Sequence, residues 1–306
     1  MAIIAIAGGT GGVGKTIVEQ ARLNDKHEIF VPSSAGPDFI QVWYDDVHAL
    51  TKSLEDYNVD TVISTINLQS EAASQAQLNL IEAADKSKTT KRFIPSEFAF
   101  VPSEDDAESE PSVAFALKSV NALRSSSLQF TRFANGFFMD YWGMPNIPSN
   151  LWPYTWAIDV ANRRAAIPGT GNDVLSLTYS VDVAKFVIRC LDADEWPEIS
   201  ILAGSDITFN ELLAIAEKIQ GTGSKFDVTY DSVETLQKDE PTLLSSEYGG
   251  GGGAFETEAK QMVALFGRMT IAGNFRLPAE NRINENFPDL HALTAEELLT
   301  KAWGGR

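Results

Sequence analysis

The sequence has few of the residues that stabilise secreted proteins or cross membranes. Cys190 is the single cysteine in 306 residues, so no internal disulfide can form, and a reducing cytoplasm is the expected compartment. No apolar run approaches the roughly 20 residues that cross a bilayer. The opening stretch MAIIAIAGG also lacks the basic segment that begins a secretory signal. We therefore expect a cytoplasmic protein with no membrane partner.

Positive charge and metal-binding side chains are also scarce. The chain has 24 Lys and Arg against 42 Asp and Glu, a formal net charge of −18, which repels phosphates and argues against a nucleic-acid partner. The histidines His27, His48 and His291 lie far apart and lack the spacing of metal ligands. We expect no metal site and no Ser/His/Asp triad.

Short apolar strands alternate with amphipathic helices through the first half of the chain. The predicted strands lie at 2–7, 28–32, 41–46, 60–66, 91–94 and 127–138, and helices are predicted at 48–57, 72–85 and 113–126. Such alternation is typical of an α/β fold with a doubly wound parallel (Rossmann) sheet, in which ligands bind at the carboxyl ends of the strands.

The loop after the first strand, GGTGGVGKT (8–16), fits two phosphate-binding fingerprints. Read from Gly9 it is G-x-x-x-x-G-K-T, the P-loop of enzymes that bind nucleoside triphosphates. Read from Gly8 it is G-x-x-G-x-x-G, which is close to the dinucleotide-binding turn. Both versions lie between a strand and a helix, so the loop alone does not decide between them.

The rest of the chain favours the dinucleotide interpretation. A P-loop enzyme also needs an acidic residue after an apolar strand to manage Mg²⁺, but the clearest strand, DTVISTI, leads to Asn67. A dinucleotide site needs a close backbone approach at the turn and a second strand that ends near the adenosine ribose. Gly8, Gly11 and Gly14 supply the first requirement, and EIFVPSS (28–34) supplies the second.

Three segments resemble the isoflavone reductase-like and NmrA-like family of atypical short-chain dehydrogenases. They are GGTGGVGK at the amino terminus, DTVIST at 60–65 and RFIPSEF at 92–98, and RFIPSEF is the most specific. FANGFF (133–138) and ITFNELLAIAEKI (207–219) are also similar. The resemblance implies an NAD(P)H-dependent oxidoreductase of secondary metabolism, and it accounts for Lys15 without a P-loop, because members carry a basic residue there.

The expected organisation follows from this resemblance and from a change in composition after about residue 136, where aromatic residues and prolines become frequent. We predict an NAD(P)-binding Rossmann domain over 1–150, with about 174–192 packing back onto it. A smaller α+β substrate-binding portion over 151–306 would lie at the carboxyl side of the sheet, with helices at 181–191 and 207–221 and a strand at 226–232.

The cofactor is expected at the glycine turn, where the helix N-terminus favours a pyrophosphate. An acid after the second strand would select NAD and a base would select NADP. Ser33 and Ser34 stand there instead, and the missing acid favours NADP(H) over NAD(H). Phe98 could stack on the nicotinamide or pack in the core. The predicted cofactor-binding residues are Gly8, Thr10, Gly11, Gly12, Val13, Gly14, Ser33, Ser34, Asn67, Gln69, Pro95, Ser96, Phe98 and Lys118.

Lys118 is the predicted catalytic residue. Ordinary short-chain dehydrogenases use Tyr-x-x-x-Lys, but Ala114 occupies the tyrosine position, so the resemblance implies that Lys118 acts without a tyrosine, through its ammonium or a bound water. Partial burial beside a cationic nicotinamide would suit it to general acid/base catalysis near neutral pH.

An uncharged, aromatic pocket is predicted beside the nicotinamide, lined by Asn135, Phe137, Tyr141, Trp142 and Tyr179. It suits a small aromatic or alicyclic substrate. The predicted function is an NADPH-dependent reductase, acting as a monomer or homodimer. Two alternatives stay open: a redox-sensing regulator of the NmrA type that binds the dinucleotide without turnover, and an isomerase that retains its cofactor.

Overall fold

The computed structural model describes residues 2–31, 42–102, 111–221, 225–244 and 253–305. The chain forms two compact units: the first comprises Met1–Ala134, Ser180–Leu202 and Asn281–Leu290, and the second comprises Asn135–Tyr179, Ala203–Glu280 and His291–Arg306. The chain thus leaves the first unit before the predicted boundary at residue 150. It returns at residue 180, within the predicted segment 174–192, and again near the carboxyl terminus.

The elements are numbered in chain order. They are β1 Ile3–Ala7, α1 Gly12–Asn24, β2 Glu28–Phe30, α2 Val47–Asp56, β3 Thr61–Ser64, α3 Glu71–Lys86, β4 Arg92–Ile94, α4 Pro111–Arg124, β5 Gln129–Phe130, β6 Arg132–Ala134, β7 Phe137–Phe138, α5 Asp140–Gly143, β8 Ile158–Asp159, β9 Arg164–Pro168, β10 Val174–Thr178, α6 Ser180–Cys190, β11 Ile199–Ile201, β12 Ser205–Thr208, α7 Phe209–Gln220, β13 Asp227–Asp231, α8 Val233–Gln237, α9 Gly253–Ala272, α10 Ile283–Asn286 and α11 Ala295–Trp303. Among the described residues, no helix combines the length and apolarity that a membrane crossing requires.

The first unit is built on a five-stranded sheet of order β2-β1-β3-β4-β5. All four pairings are parallel, which confirms the predicted parallel Rossmann sheet. Because Ala7 pairs with Ser64 and Ile63 pairs with Ile94, the loops after β1, β3 and β4 leave the same edge of the sheet from adjacent strands. That edge carries the glycine turn.

The predicted strand over 41–46 is wrong for its described part. Tyr44 and Asp45 lie in a turn, and the Asp46 carboxylate accepts a hydrogen bond from the backbone N–H of Ala49 at 2.9 Å. A side chain that caps a helix in this way begins α2 and ends any strand before it. Apolar alternation in VWYDD therefore reflects the approach to a helix.

The predicted sixth strand over 127–138 is three short strands in three different sheets. β5 closes the parallel sheet, β6 pairs with β11, and β7 pairs with β10. Gly136 separates β6 from β7 with a φ of +67°. A Cβ on this glycine would lie 1.9 Å from the carbonyl oxygen of Ser176, so the break requires glycine.

The second unit has the predicted α+β composition. Its three-stranded sheets have the orders β12-β10-β7 and β13-β9-β8. Thr208 caps α7 in a capping box with Glu211. Phe137 lies in a buried aromatic cluster, with its ring centroid 4.7 Å from that of Trp156 and 5.4 Å from that of Phe266. These packed rings form the core of the unit.

Candidate functional site

The glycine turn presents an uncapped helix N-terminus. Gly11 precedes α1 with extended backbone, a φ of −85° and a ψ of 173°, and its N–H donates to the carbonyl of Gly8 at 2.9 Å. No side chain of the described residues caps α1, and no acidic residue lies in its first turn. The backbone N–H groups of Gly12 and Val13 are therefore left for an anion, as a pyrophosphate site requires.

The positions of this turn differ in whether the fold requires glycine. Gly8 has a φ of +78°, and a Cβ on Gly14 would lie 2.4 Å from the carbonyl oxygen of Gly8 and 2.4 Å from Oγ1 of Thr65. The fold therefore requires glycine at both positions. Among the described residues, a Cβ on Gly11 would meet nothing nearer than 3.5 Å. The open space above Gly11 is available to a ligand.

A second feature is a cavity of about 290 Å³ beside the ends of β3 and β4. It brings together three of the predicted cofactor-binding residues, Asn67, Gln69 and Ser96, with Glu97. Val113 and Ala116 of α4 form part of the same wall. The cavity joins the two strand-end loops to the helix that carries Lys118.

Gln77 connects these parts, and sequence reasoning missed it. The side chain is fully buried, at 0% exposure. Its Oε1 accepts the backbone N–H of Ser96 at 3.0 Å, and its Nε2 donates to Oγ of Ser119 at 2.8 Å. Gln77 thereby ties the loop after β4 to the residue next to Lys118. A buried glutamine on the inner face of α3 carries no local sequence signal for this role.

A buried ion pair fixes the next residue of the loop. Glu97 and Arg132 have side-chain exposures of 4% and 5%, and Nε and Nη2 of Arg132 both donate to the carboxylate, at distances of 2.7 to 2.9 Å. Burial raises the pKa of Glu97, although the hydrogen bonds and charge of Arg132 oppose the rise. The bidentate geometry holds Glu97 in a single position at the cavity wall.

Phe98 packs in the core of the first unit. The residue is 7% exposed, and its ring lies 6.2 Å from that of Phe133 at 27° between planes. Of the two positions considered for Phe98 from the sequence, stacking on the nicotinamide or packing in the core, this contact corresponds to packing in the core. Its φ of +24° is unusual for a bulky residue. The backbone strain fits a loop whose neighbours are held by other elements.

Lys118 lies on α4 and is exposed, which corrects the expected partial burial. Its Nζ lies 5.4 Å from the ring centroid of Phe115, one turn earlier in the helix. No other described residue pairs with the ammonium. The next two residues of α4, Ser119 and Val120, are buried.

The predicted substrate residues in the second unit separate into two groups. Tyr141 and Trp142 line a cavity of about 660 Å³. Phe137 belongs to the aromatic core, and the hydroxyl of Tyr179 donates to the carbonyl of Pro148. Asn135 is fully buried, and its side-chain amide has no hydrogen-bond partner among the described residues. Ser33 and Ser34 lie outside the described residues.

Comparison with known proteins gives the family. The sequence model of the NmrA-like family matches residues 2–248. The chain belongs to the NmrA-like family. Oxidoreductase BOA1 of Botryotinia fuckeliana (strain B05.10) is 34% identical over 230 residues, which cover 72% of this chain and 77% of that protein. Oxidoreductase swnN of Metarhizium robertsii (strain ARSEF 23 / ATCC MYA-3075) is 30% identical and covers 99% of this chain and 98% of its own.

The fold of this NmrA-like chain also occurs in solved structures. The binary complex of leucoanthocyanidin reductase with NADPH from Vitis vinifera superposes with a TM-score of 0.73, covering 97% of this chain and 98% of that one at 19% identity. The predicted family and Rossmann-type fold are confirmed, and the chain is an oxidoreductase.

Proposed function

We propose that this NmrA-like oxidoreductase is an NADPH-dependent reductase of a small aromatic or alicyclic compound. The space above Gly11 supports this most directly, because the described residues leave it open beside an uncapped helix N-terminus. A dinucleotide pyrophosphate fits such a place.

The strand-end cavity would hold the ribose and nicotinamide side of the cofactor. Asn67, Gln69 and Ser96 line it and offer amide and hydroxyl groups for hydrogen bonds. For the adenosine end, we infer that the hydroxyls of Ser33 and Ser34 bind the 2′-phosphate of NADPH, because no acid stands at those two positions to select the 2′-hydroxyl of NADH. Titration of the protein with each cofactor tests this preference.

Lys118 would supply the proton of the reduction. When bound, the cofactor supplies a hydride to an electrophilic carbon of the substrate. The exposed ammonium of Lys118, or a water held by it, protonates the atom that gains negative charge. Gln77 and the Glu97–Arg132 pair keep the adjoining loop in place, and the aromatic cavity with Tyr141 and Trp142 supports a planar substrate.

The experiment is NADPH consumption by the purified protein with a panel of enones, quinones and aromatic ketones. We expect Lys118→Ala to lower turnover by about 10²- to 10⁴-fold and to leave the Kd for NADPH within about twofold. Lys52→Ala is the matched control, because Lys52 is exposed and pairs with Asp56 on α2.

Undiminished turnover in Lys118→Ala would show that Lys118 is not the proton donor. If the wild-type protein binds NADPH but reduces no compound of the panel, and instead retains a protein partner in a pull-down, the reductase proposal fails in favour of the regulatory alternative.

A further inference from the structure

The cavity of about 660 Å³ in the second unit has the size of a small-molecule site, for which about 300 to 1,000 Å³ is usual. Its walls include four aromatic side chains, those of Tyr141, Trp142, Tyr154 and Trp303. The cavity is therefore large enough for a two-ring ligand, and four of its lining side chains offer flat aromatic surface.

Two of these rings offer only apolar surface. Nε1 of Trp142 donates to the carbonyl of Trp156 at 3.0 Å, and Nε1 of Trp303 donates to the carbonyl of Trp142 at 2.7 Å. Because an indole has a single donor, neither ring has a hydrogen bond left for a ligand. The same bonds fix the orientation of both rings, so the wall is rigid.

The charged groups at the cavity balance each other. Asp159 and Arg164 contribute one charge of each sign. Asp159 accepts the backbone N–H and the side-chain amide of Asn162 at 3.0 and 2.8 Å, and Arg164 donates to the carbonyl of Leu244 at 3.0 Å. With both groups engaged and opposite in sign, the cavity has no preference for an ionic ligand.

Unlike the two indoles, the hydroxyl of Tyr141 forms no hydrogen bond with any described residue. Its ring is held edge-on to Tyr154, with centroids 6.0 Å apart and 80° between planes. Burial, and to a smaller extent the charge of Asp140, raises the pKa of Tyr141 to about 12. The phenol therefore stays protonated at neutral pH and can act as a hydrogen-bond donor.

We propose that this cavity binds a neutral, planar compound that carries a hydrogen-bond acceptor, such as an aromatic ketone or enone, and that Tyr141 donates to that acceptor. The indole faces of Trp142 and Trp303 select the ring system, and the phenol of Tyr141 selects the acceptor. That the compound is also the substrate of the reductase rests on the proposed function, whereas its binding to the cavity does not.

Two ligands of the same shape test the proposal by isothermal titration calorimetry without NADPH. The first is benzylideneacetone, an aryl enone, and the second is the diene in which a methylene group replaces the carbonyl oxygen. We expect the wild-type protein to prefer the enone by about fivefold, the effect of one neutral hydrogen bond. In Tyr141→Phe the enone should bind as weakly as the diene, and the Kd of the diene should not change.

Two further variants complete the experiment. Tyr57→Phe removes a phenol that is 45% exposed in the first unit and should keep the fivefold preference. Ala161→Trp places an indole at the wall of the cavity and should abolish binding of both ligands.

The proposal is overturned if the wild-type protein shows no preference, if Tyr141→Phe keeps it, or if Ala161→Trp binds both ligands normally. None of these measurements uses NADPH or turnover. Such a result therefore does not affect the reductase proposal, which the Lys118→Ala experiment tests separately. Conversely, loss of the reductase proposal leaves the cavity as a ligand site.

Discussion

Substitution by alanine should leave the stability of the fold nearly unchanged at Gly11 and lower it at Gly14. Gly11→Ala adds a methyl group to backbone that alanine adopts without strain, since φ is −85° and ψ is 173°, and its nearest neighbour would be 3.5 Å away. Alanine lowers the conformational entropy of the unfolded chain, which stabilises the folded protein by about 0.4 to 1 kcal/mol. Alanine is also a poorer N-cap than glycine, which destabilises the folded protein by a similar amount. The free energy of unfolding should therefore stay within about 0.5 kcal/mol of the wild-type value.

Gly14→Ala places the same methyl group 2.4 Å from the carbonyl oxygen of Gly8. An ordinary contact is about 1 Å longer, so α1 must move away from the turn. We expect the free energy of unfolding to fall by about 1 to 3 kcal/mol, as in other overpacked interiors. Urea unfolding followed by circular dichroism measures both variants under the same conditions.

Gly11→Ala should weaken the binding of NADPH although it leaves the stability of the fold nearly unchanged. The methyl group fills the space assigned to the pyrophosphate, so the Kd for NADPH should rise at least about tenfold, or about 1.4 kcal/mol. Fluorescence titration with NADPH measures this value. If Gly11→Ala binds NADPH as tightly as the wild type, the turn is not the pyrophosphate site; an unchanged stability of Gly14→Ala would refute the steric argument.

Two further predictions concern the buried groups behind the strand-end cavity. Gln77→Leu leaves the backbone N–H of Ser96 without its acceptor and should lower the free energy of unfolding by about 1 to 3 kcal/mol. Gln75→Leu on the exposed side of α3 is the control in the same urea series. Arg132→Met leaves the Glu97 carboxylate buried and unpaired, which should cost about 3 to 5 kcal/mol at pH 7. Because burial holds the pKa of Glu97 above its ordinary value, folding favours the protonated form, so this deficit should shrink as the pH falls from 7 towards 5. A deficit that does not change with pH would contradict the assigned cause.

The sequence predicts elements well where one local pattern decides the structure. The apolar run at 60–66 contains β3, and the amphipathic run at 72–85 contains most of α3. Both patterns come from burial on a sheet face or a helix stripe, so neighbouring residues contain the information. The glycine turn is similar, because the positive φ of Gly8 requires a specific residue type.

Strand pairing over long distances was not predictable in this way. Residues 129–138 have the pattern of one strand, yet they form strands of three different sheets. The reason is that β6 pairs with β11 and β7 pairs with β10, and both partners lie more than 35 residues away in the sequence. The exposure of Lys118 shows the same limit. The helix was predicted, but which side of it meets the core depends on elements that are distant in sequence.

RFIPSEF, the most specific stretch of the resemblance, is held by a different partner at each of its last residues. Gln77 accepts from Ser96, Arg132 holds Glu97, and Phe133 packs on Phe98. In this chain these contacts hold a strained loop in place at the wall of the strand-end cavity. A site of this kind needs its wall fixed before the ligand arrives. Substitution of Gln77 or Arg132 should consequently change activity through the position of the loop, even though neither residue is expected to touch the substrate.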